Sequence, residues 1–385
     1  MRIAIVGGAL QGTESVYLAK KAGYETFVID KRDNAPALSL ADDHAVLDPV
    51  FSEKEAMRIF NDCDVVLPAC EDLTLLCSLV NMMRSSEIPL LFDMDSYILS
   101  SSKSASNQMM EAAGIPLPRK WPECGFPAIV KPSSQSGSVG VSVAYDENDV
   151  SAGIDDIIKM GDQPVIQEFV SVKGVSIEAI GNGREFRSFV TTEIMISGNY
   201  DCKRVRCTPD LLSAEKEREF REIAERAAVY MNLKALMDVE AIDTRNGLRV
   251  LEIDARIPSQ TPAAVLAATG VNILEELVRS RFGTFGGDIK NGASSYEHFL
   301  IKDKKLITCG EKEFALVVSP KIEKGLFGAD EFISDHRSGA EEWRGTMING
   351  AATDAELERK RARCIERIMK ECGLNEFVDV SPEMM

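Results

Sequence analysis

Three acids and an arginine in "DVEAIDTRNGLRVLEIDAR" raise the first chemical question. Glu240 sits on one expected strand, and Glu252 and Asp254 sit on its hairpin partner across the turn "TRNG". Glu252 and Asp254 are two residues apart, so they share one strand face, and Arg256 continues it. If Glu240 faces the same side, three carboxylates converge. Like charges packed together are costly unless cations neutralise them. Hard oxygen donors in that number suit Mg²⁺ held together with phosphate groups. Arg256 could clamp an oxyanion or a carboxylate with two parallel hydrogen bonds. The plain alternative is a solvated strand face, with Leu251, Ile253, Ala255 and Ile257 on the other side.

A second stretch, "IVKPSSQSGSVGVSV", runs from Ile129 to Val143. Lys131 ends a strand, and a loop with Gly137 and Gly140 leads into another strand. Glycine permits close backbone approach, so successive N–H groups can cradle phosphate oxygens. A lysine beside them adds a point charge for the same anion. The stretch is not a P-loop, because it lacks GK[ST] and is followed by a strand rather than a helix. An ordinary hairpin loop is the alternative.

The elements that must position these groups are legible as patterns. Short apolar runs (Arg2–Val6, "YETFVID", "DVVLPAC", "PLLFD") alternate with helical periods, which predicts a parallel α/β sheet over residues 1–95. "KSASNQMMEAAGIPLP" reads as a helix opening a new domain. From "GFPAIVKP" onward the strands are antiparallel in character. Ser213 caps a long helix with Phe220, Ile223, Ala224, Ala227 and Met231 on one face. Beyond residue 285, "KEFALVVSP" reads as a strand and Thr353 to Cys372 as an amphipathic helix. Nothing chemical stands out there.

Composition narrows the partners. The 385 residues carry a net charge of −17, which argues against nucleic acid or an anionic membrane. The nine cysteines form no CxxC pair, and Cys63, Cys70 and Cys77, seven apart, read as small buried hydrophobes rather than ligands. An odd cysteine count and a strand-like start fit a reducing cytoplasm. No run approaches the ~18 apolar residues of a membrane span.

Taken together, these ordered motifs resemble the ATP-grasp superfamily over residues 1 to 285. Lys103 in "SSSKSASNQ" looks like its first nucleotide lysine and Lys131 like its second. "SQSGSVGV" is similar to the glycine loop that closes over the phosphates, which implies contacts from Ser138 and Val139. "VIQEFV" looks like the hinge strand, with Gln167, Glu168, Phe169 and Val170 meeting adenine largely through backbone. Glu240, Glu252 and Asp254 fall where the family places metal ligands, and "EIDARI" resembles E-x-N-x-R with Asp254 for the usual Asn. The ribose acid departs from pattern, leaving Ser176 or Glu178. In "NYDCKRV", Lys203, Arg204 and Arg206 compete for the mobile loop's phosphate contact, with Lys203 preferred.

The resemblance implies an α/β ATP-grasp fold. It would have a Rossmann-like substrate domain (1–95), a lid subdomain (96–170) and a catalytic subdomain with a C-terminal extension (171–385). It also implies ATP with two Mg²⁺ ions, or Mn²⁺ in their place, and amide formation between small amino-acid substrates through an acylphosphate. Lys131 and Arg256 would be the catalytic residues. The amphipathic C-terminal helix and the family likeness lean towards a homodimer. A different ATP-grasp ligase and a nucleotide-binding regulator without turnover stay open.

That leaves the opening turn "VGGALQG", which tempts towards an NAD-dependent oxidoreductase. Against G-x-G-x-x-G it has Gly7 and Gly12, but Ala9 stands where a Cβ obstructs the pyrophosphate. Asp30 lies near the usual ribose acid. With the nucleotide groups supplied by residues 103–256, the turn reads instead as a substrate wall of Leu10, Gln11 and Gly12 at a helix N-terminus. Glu71 and Asp72 follow "VVLPAC" at a carboxyl strand end, where open α/β sheets bind ligands. Glu71 could pair an ammonium, or serve only as a helix N-terminal acid. Ser259 and Gln260, just past Arg256, are candidates to hold a substrate carboxylate.

Overall fold

The computed structural model describes residues 1–385 except 136–138, 171–173, 199–200, 284, 287–288 and 382–385. Ser138 and Gly137 of the glycine loop, and Asn199 and Tyr200 of "NYDCKRV", therefore lie outside the described residues.

Three sheets carry the chain. The first has four parallel strands in the order Asp43–Val46, Glu25–Asp30, Arg2–Val6 and Val65–Pro68. Strands Arg2–Val6 and Val65–Pro68 are apolar along almost their whole length and buried on both faces, the pattern that a helix-covered parallel sheet demands. The second is a small antiparallel sheet of Ser142–Ala144, Ala128–Pro132 and Pro164–Glu168, backed by the helix Glu147–Lys159. Here the glycine loop joins Lys131's strand to its neighbour.

The third sheet has twelve strands. Its path begins Gly247–Asp254, Leu236–Thr244, Gly174–Gly181, Thr192–Ile196, Cys202–Cys207 and Ala293–Lys302. It continues through Trp343–Ala351, Glu331–Ser334 and Lys321–Lys324. The chain past residue 285 thus extends the sheet that bears the acids. The helix Ala214–Met231 covers the acid-bearing end with Phe220, Ile223, Ala224 and Ala227 buried.

"KEFALVVSP" is not a strand. Glu311–Phe314 form one helical turn, and Phe314 turns inward to stack on the buried His298 ring at 4.5 Å. Burying that aromatic overrides the alternation. The helices Thr261–Thr269 and Ile273–Arg281 sit between the first and third sheets, and one continuous core runs from Ile3 and Leu18 through Val265 and Leu277 to Tyr296 and Ile348. This shared core fixes the parallel sheet against the acid-bearing sheet.

Candidate active site

The site grows from cross-strand register. Glu240 pairs with Glu252 on one side and Ser176 on the other, and Asp238 pairs with Asp254 and Glu178. Two rows, Ser176–Glu240–Glu252 and Glu178–Asp238–Asp254, therefore run across three strands on one face. The bulge after Glu240 makes Leu251 the unpaired residue. Asp238 is a member that the sequence reading left out, although its position two residues before Glu240 marks the same face. Ser176 and Glu178 are wholly buried in these rows rather than at an open ribose position.

Burial is what makes this face electrostatically tense. It raises the Glu240 carboxyl to about 8, with Glu252 and Asp254 adding to the rise. Asp254 is lifted to about 6 by burial against the opposing pull of Arg256. Burial also pushes up Glu178, to about 7, and Asp238. Glu252 is the exception: burial would raise it, but the Lys103 and Lys131 ammonium groups hold it below the usual range. Lys103 Nζ lies 2.8 Å from Glu252 and also donates to Gln135 O at 2.8 Å. Lys131 is buried and donates to Leu251 O at 3.5 Å, and desolvation pulls it down to about 8.

Among the described residues no three acidic, histidine or cysteine side chains surround one point closely enough to hold a metal alone. The donor set still fits Mg²⁺, which takes one or two carboxylates and completes its shell with phosphate and water. The donors are hard oxygens, and in the row beside them the buried Asp238 Oδ1 has no hydrogen-bond partner. Glu240, Glu252 and Asp254 are the residues that would hold it.

Arg256 reaches from this face to Glu71, just past the parallel-sheet strand Val65–Pro68. Its Nε lies 2.7 Å from Glu71 Oε1, and its Nη atoms lie 3.3 Å from Asp254 and 3.7 Å from Asp238. Burial works against its charge, but these three acids more than restore it. Gln11 Nε2 donates to the same Glu71 oxygen at 3.0 Å. Glu71 is thus the link between the opening turn and the arginine. Asp72, by contrast, caps the helix Leu73–Met83 through the amides of Thr74 and Leu75 and lies 3.6 Å from Lys31.

These residues surround a cavity of about 710 Å³, lined by Leu10, Gln11, Glu71, Asp72, Arg256 and Ser259 among others. That volume suits one or two small molecules. Val139, expected over phosphates, also lines it. Gly12 does not: a Cβ there would sit 2.0 Å from Gly7 O, so its role is close packing of helix on strand. The tempting Asp30 accepts from the Gly8 amide at 2.6 Å and is clamped by Arg32, which ties down the turn from below.

Gln260 sits behind the cavity wall and is buried. Its backbone has φ 68° and ψ −56°, and the Thr261 amide donates to Ser259 O at 2.7 Å, closing a γ-turn of the rare positive-φ form. Three groups hold it. The Gln260 amide donates to the buried Glu14 carboxylate, its side-chain amide donates to Glu311 Oε2 at 3.0 Å, and Cys202 Sγ donates to its Oε1 at 3.2 Å. Ser259 Oγ donates to Glu311 Oε2, also at 3.0 Å.

Two nucleotide expectations meet a different environment. Lys203 Nζ is taken by the C-terminal tail: Asp379 Oδ1 at 2.6 Å, Val380 O at 2.9 Å and Ser381 Oγ at 2.9 Å. Arg204 and Arg206 pair with Glu358, and Arg206 also with Glu193 and Asp354. In the hinge, the Glu168 and Phe169 amides already donate to Arg119 O and Pro127 O, and Arg119 grips the Glu168 carboxylate. Gln167 is buried and Val170 is partly exposed. The cysteines are free: Cys63 is buried as expected, Cys70 only partly, and Cys77 is exposed, against the expectation of a buried hydrophobe, and among the described residues they form no metal-holding group. Among the described residues no single helix is long and apolar enough to cross a membrane.

Residues 100–260 match the ATP-grasp domain, and residues 3–91 match the PylC-like N-terminal domain. The chain is 35% identical over 319 residues to the 3-methyl-D-ornithine–L-lysine ligase of Methanosarcina acetivorans, covering 82% of this chain and 84% of that one. The Methanosarcina barkeri protein of the same name is 34% identical with the same coverage. In fold, the chain superposes on a Campylobacter jejuni biotin carboxylase complex with a TM-score of 0.75 at 15% identity, covering 95% of this chain and 91% of the other.

Proposed function

The chain belongs to the ATP-grasp family that contains the 3-methyl-D-ornithine–L-lysine ligases, and from that premise we propose that it joins the carboxylate of 3-methyl-D-ornithine to the ε-amine of L-lysine in pyrrolysine biosynthesis. It is an ATP-dependent carbon–nitrogen ligase. The observation that carries the substrate reading is the cavity: the turn of the substrate domain, Glu71 and Arg256 enclose it together.

Positioning and charge do most of the work. Lys103 and Lys131 neutralise phosphate charge beside the acid rows. Glu240, Glu252 and Asp254 would hold magnesium, which would supply positive charge to the γ-phosphoryl group; two ions are the expectation. A carboxylate oxygen of the first substrate takes that group, giving an acylphosphate that the enclosed cavity keeps from water. Arg256 faces the oxyanion that forms when the amine attacks. Glu71 holds the arginine in place and offers a carboxylate to a substrate ammonium. The protein works as a homodimer in the cytoplasm on this reading.

The test is ADP release with ATP and Mg²⁺ and each amino acid alone or paired, with the product weighed by mass spectrometry. Amide product from 3-methyl-D-ornithine plus L-lysine, with none from two D-alanines, is expected. The reverse outcome would remove this substrate assignment.

A further inference from the structure

The cavity wall holds a carboxylate, Glu311, that the reaction as derived does not use. We propose that Glu311 receives the attacking amine: it binds the ammonium and takes the proton that must leave before nitrogen can attack the acylphosphate. This rests on the ligase reading above.

The other acids on the cavity wall are engaged. Glu71 holds Arg256 and Gln11. Asp30 holds Gly8 and Arg32. Asp72 caps a helix and lies near Lys31. Asp48 accepts from the Val50 amide at 3.0 Å at the far, substrate-domain side. Among the described residues neither Asp48 nor Glu311 pairs with a cation, and Glu311 is the one that lines the cavity on the side of Arg256 and Ser259. Ser259 and Gln260 both donate to its Oε2, and among the described residues nothing donates to Oε1. One oxygen is fixed and the other remains for a ligand.

Its setting suits a base. Glu311 lines the cavity with Arg256 and Ser259, on the side of the acid rows; Asp201, Glu14 and Glu240 oppose its negative charge and Arg256 favours it. Burial and Asp201 raise its affinity for a proton above that of a surface acid. Its position is rigid: Phe314 anchors the same helical turn on His298, and the strained Gln260 turn holds Oε2 from behind. A buried carboxylate without a cation is costly, and an incoming ammonium compensates it.

The chemistry balances. The lysine ε-ammonium gives one proton to Glu311 Oε1, and the freed nitrogen lone pair forms the C–N bond. The carbonyl reforms as the bond between the acyl carbon and the bridging phosphate oxygen breaks, and inorganic phosphate leaves with that electron pair. The second nitrogen proton goes to the departing phosphate.

Hydroxylamine separates this role from activation, because it is already uncharged at neutral pH and needs no base. With ATP, Mg²⁺ and 3-methyl-D-ornithine, wild-type enzyme should form the hydroxamate, and with L-lysine the amide. In Glu311→Gln, amide formation should fall by about 10²–10⁴, the usual contribution of a general base, with a raised KM for lysine. Hydroxamate formation should stay within about threefold of wild type, which also shows that the variant is folded. Glu311→Asp should recover part of the lysine rate. Equal loss of both products, or an unchanged lysine rate, overturns the assignment. A wild-type enzyme that makes no hydroxamate overturns the acylphosphate reading itself, and the wild-type sample alone distinguishes that failure.

Discussion

The backbone amide of Gln260, four residues past Arg256, donates to the carboxyl of Glu14 on the chain's first helix, Leu10–Lys21. Tyr296 OH donates to the other Glu14 oxygen. One buried acid thus ties the opening helix to a strained turn that carries Ser259 beside Arg256. Strained non-glycine backbone persists only where its surroundings over-determine it, and it gathers at working sites.

The strain is measurable. Gln260→Gly and Gln260→Ala both remove the side chain, but only glycine adopts φ 68° freely. Glycine should therefore be the more stable of the two by about 1–2 kcal/mol, against the ordinary order, in which alanine wins. Denaturant midpoints decide it, and equal midpoints would mean an unstrained turn.

Glu14 makes stability depend on pH. Burial raises its carboxyl to about 8 in the fold, from an ordinary value of 4.5. The native state then binds more protons than the unfolded chain between those values, so this contribution is full below 4.5 and is lost as pH rises through 8. Glu14→Gln, which cannot ionise, should melt closer to wild type, or above it, at pH 9 than at pH 5. A constant difference in melting temperature across that range would show that Glu14 does not titrate this way.

Lys131 should make nucleotide affinity fall with pH. Desolvation lowers its ammonium to about 8, so charge is lost as pH rises through that value, and the phosphate contact goes with it. ATP binding measured without metal should weaken several-fold between pH 7 and 9, with ionisation of Glu240 near 8 adding to the loss. Lys131→Ala should bind weakly and keep only the shallower pH dependence that Glu240 supplies.

Arg256→Lys keeps the charge but loses the fork that spans Glu71 and Asp254. Turnover should drop by about 10²–10³, the scale of removing one oxyanion donor, while ATP affinity changes little. Intact turnover would move the oxyanion role elsewhere.

Lys203 separates two readings of one residue. Its three contacts with residues 379–381 predict that Lys203→Met loses stability, by about 3–5 kcal/mol for a broken buried pair. ATP affinity should stay within about twofold. A large affinity loss with an unchanged melting temperature would return the lysine to the phosphates.

How legible was this site in the sequence? The fold class and the acid face were readable, because alternation along a strand marks a face without further context. Asp238 carried the same signal two residues before Glu240. Register across strands was not readable: Glu178 joins the acid rows only because its strand pairs with Leu236–Thr244. Glu311 gave no local sign. Its segment alternates like a strand, and only the long-range stacking of Phe314 on His298 makes it a helical turn facing the cavity. Lys203 was read from its neighbours in sequence, whereas its partners lie about 176 residues away.

The twelve-stranded sheet also sets an order on the ribosome. Strand Ala293–Lys302 lies between Cys202–Cys207 and Trp343–Ala351. While residues 303–342 are being made, the second of those neighbours does not yet exist, and the newly finished strand presents one open edge. Such an edge invites pairing with other chains, so slow translation or early termination in that window would leave an aggregation-prone nascent chain with its acid rows already formed.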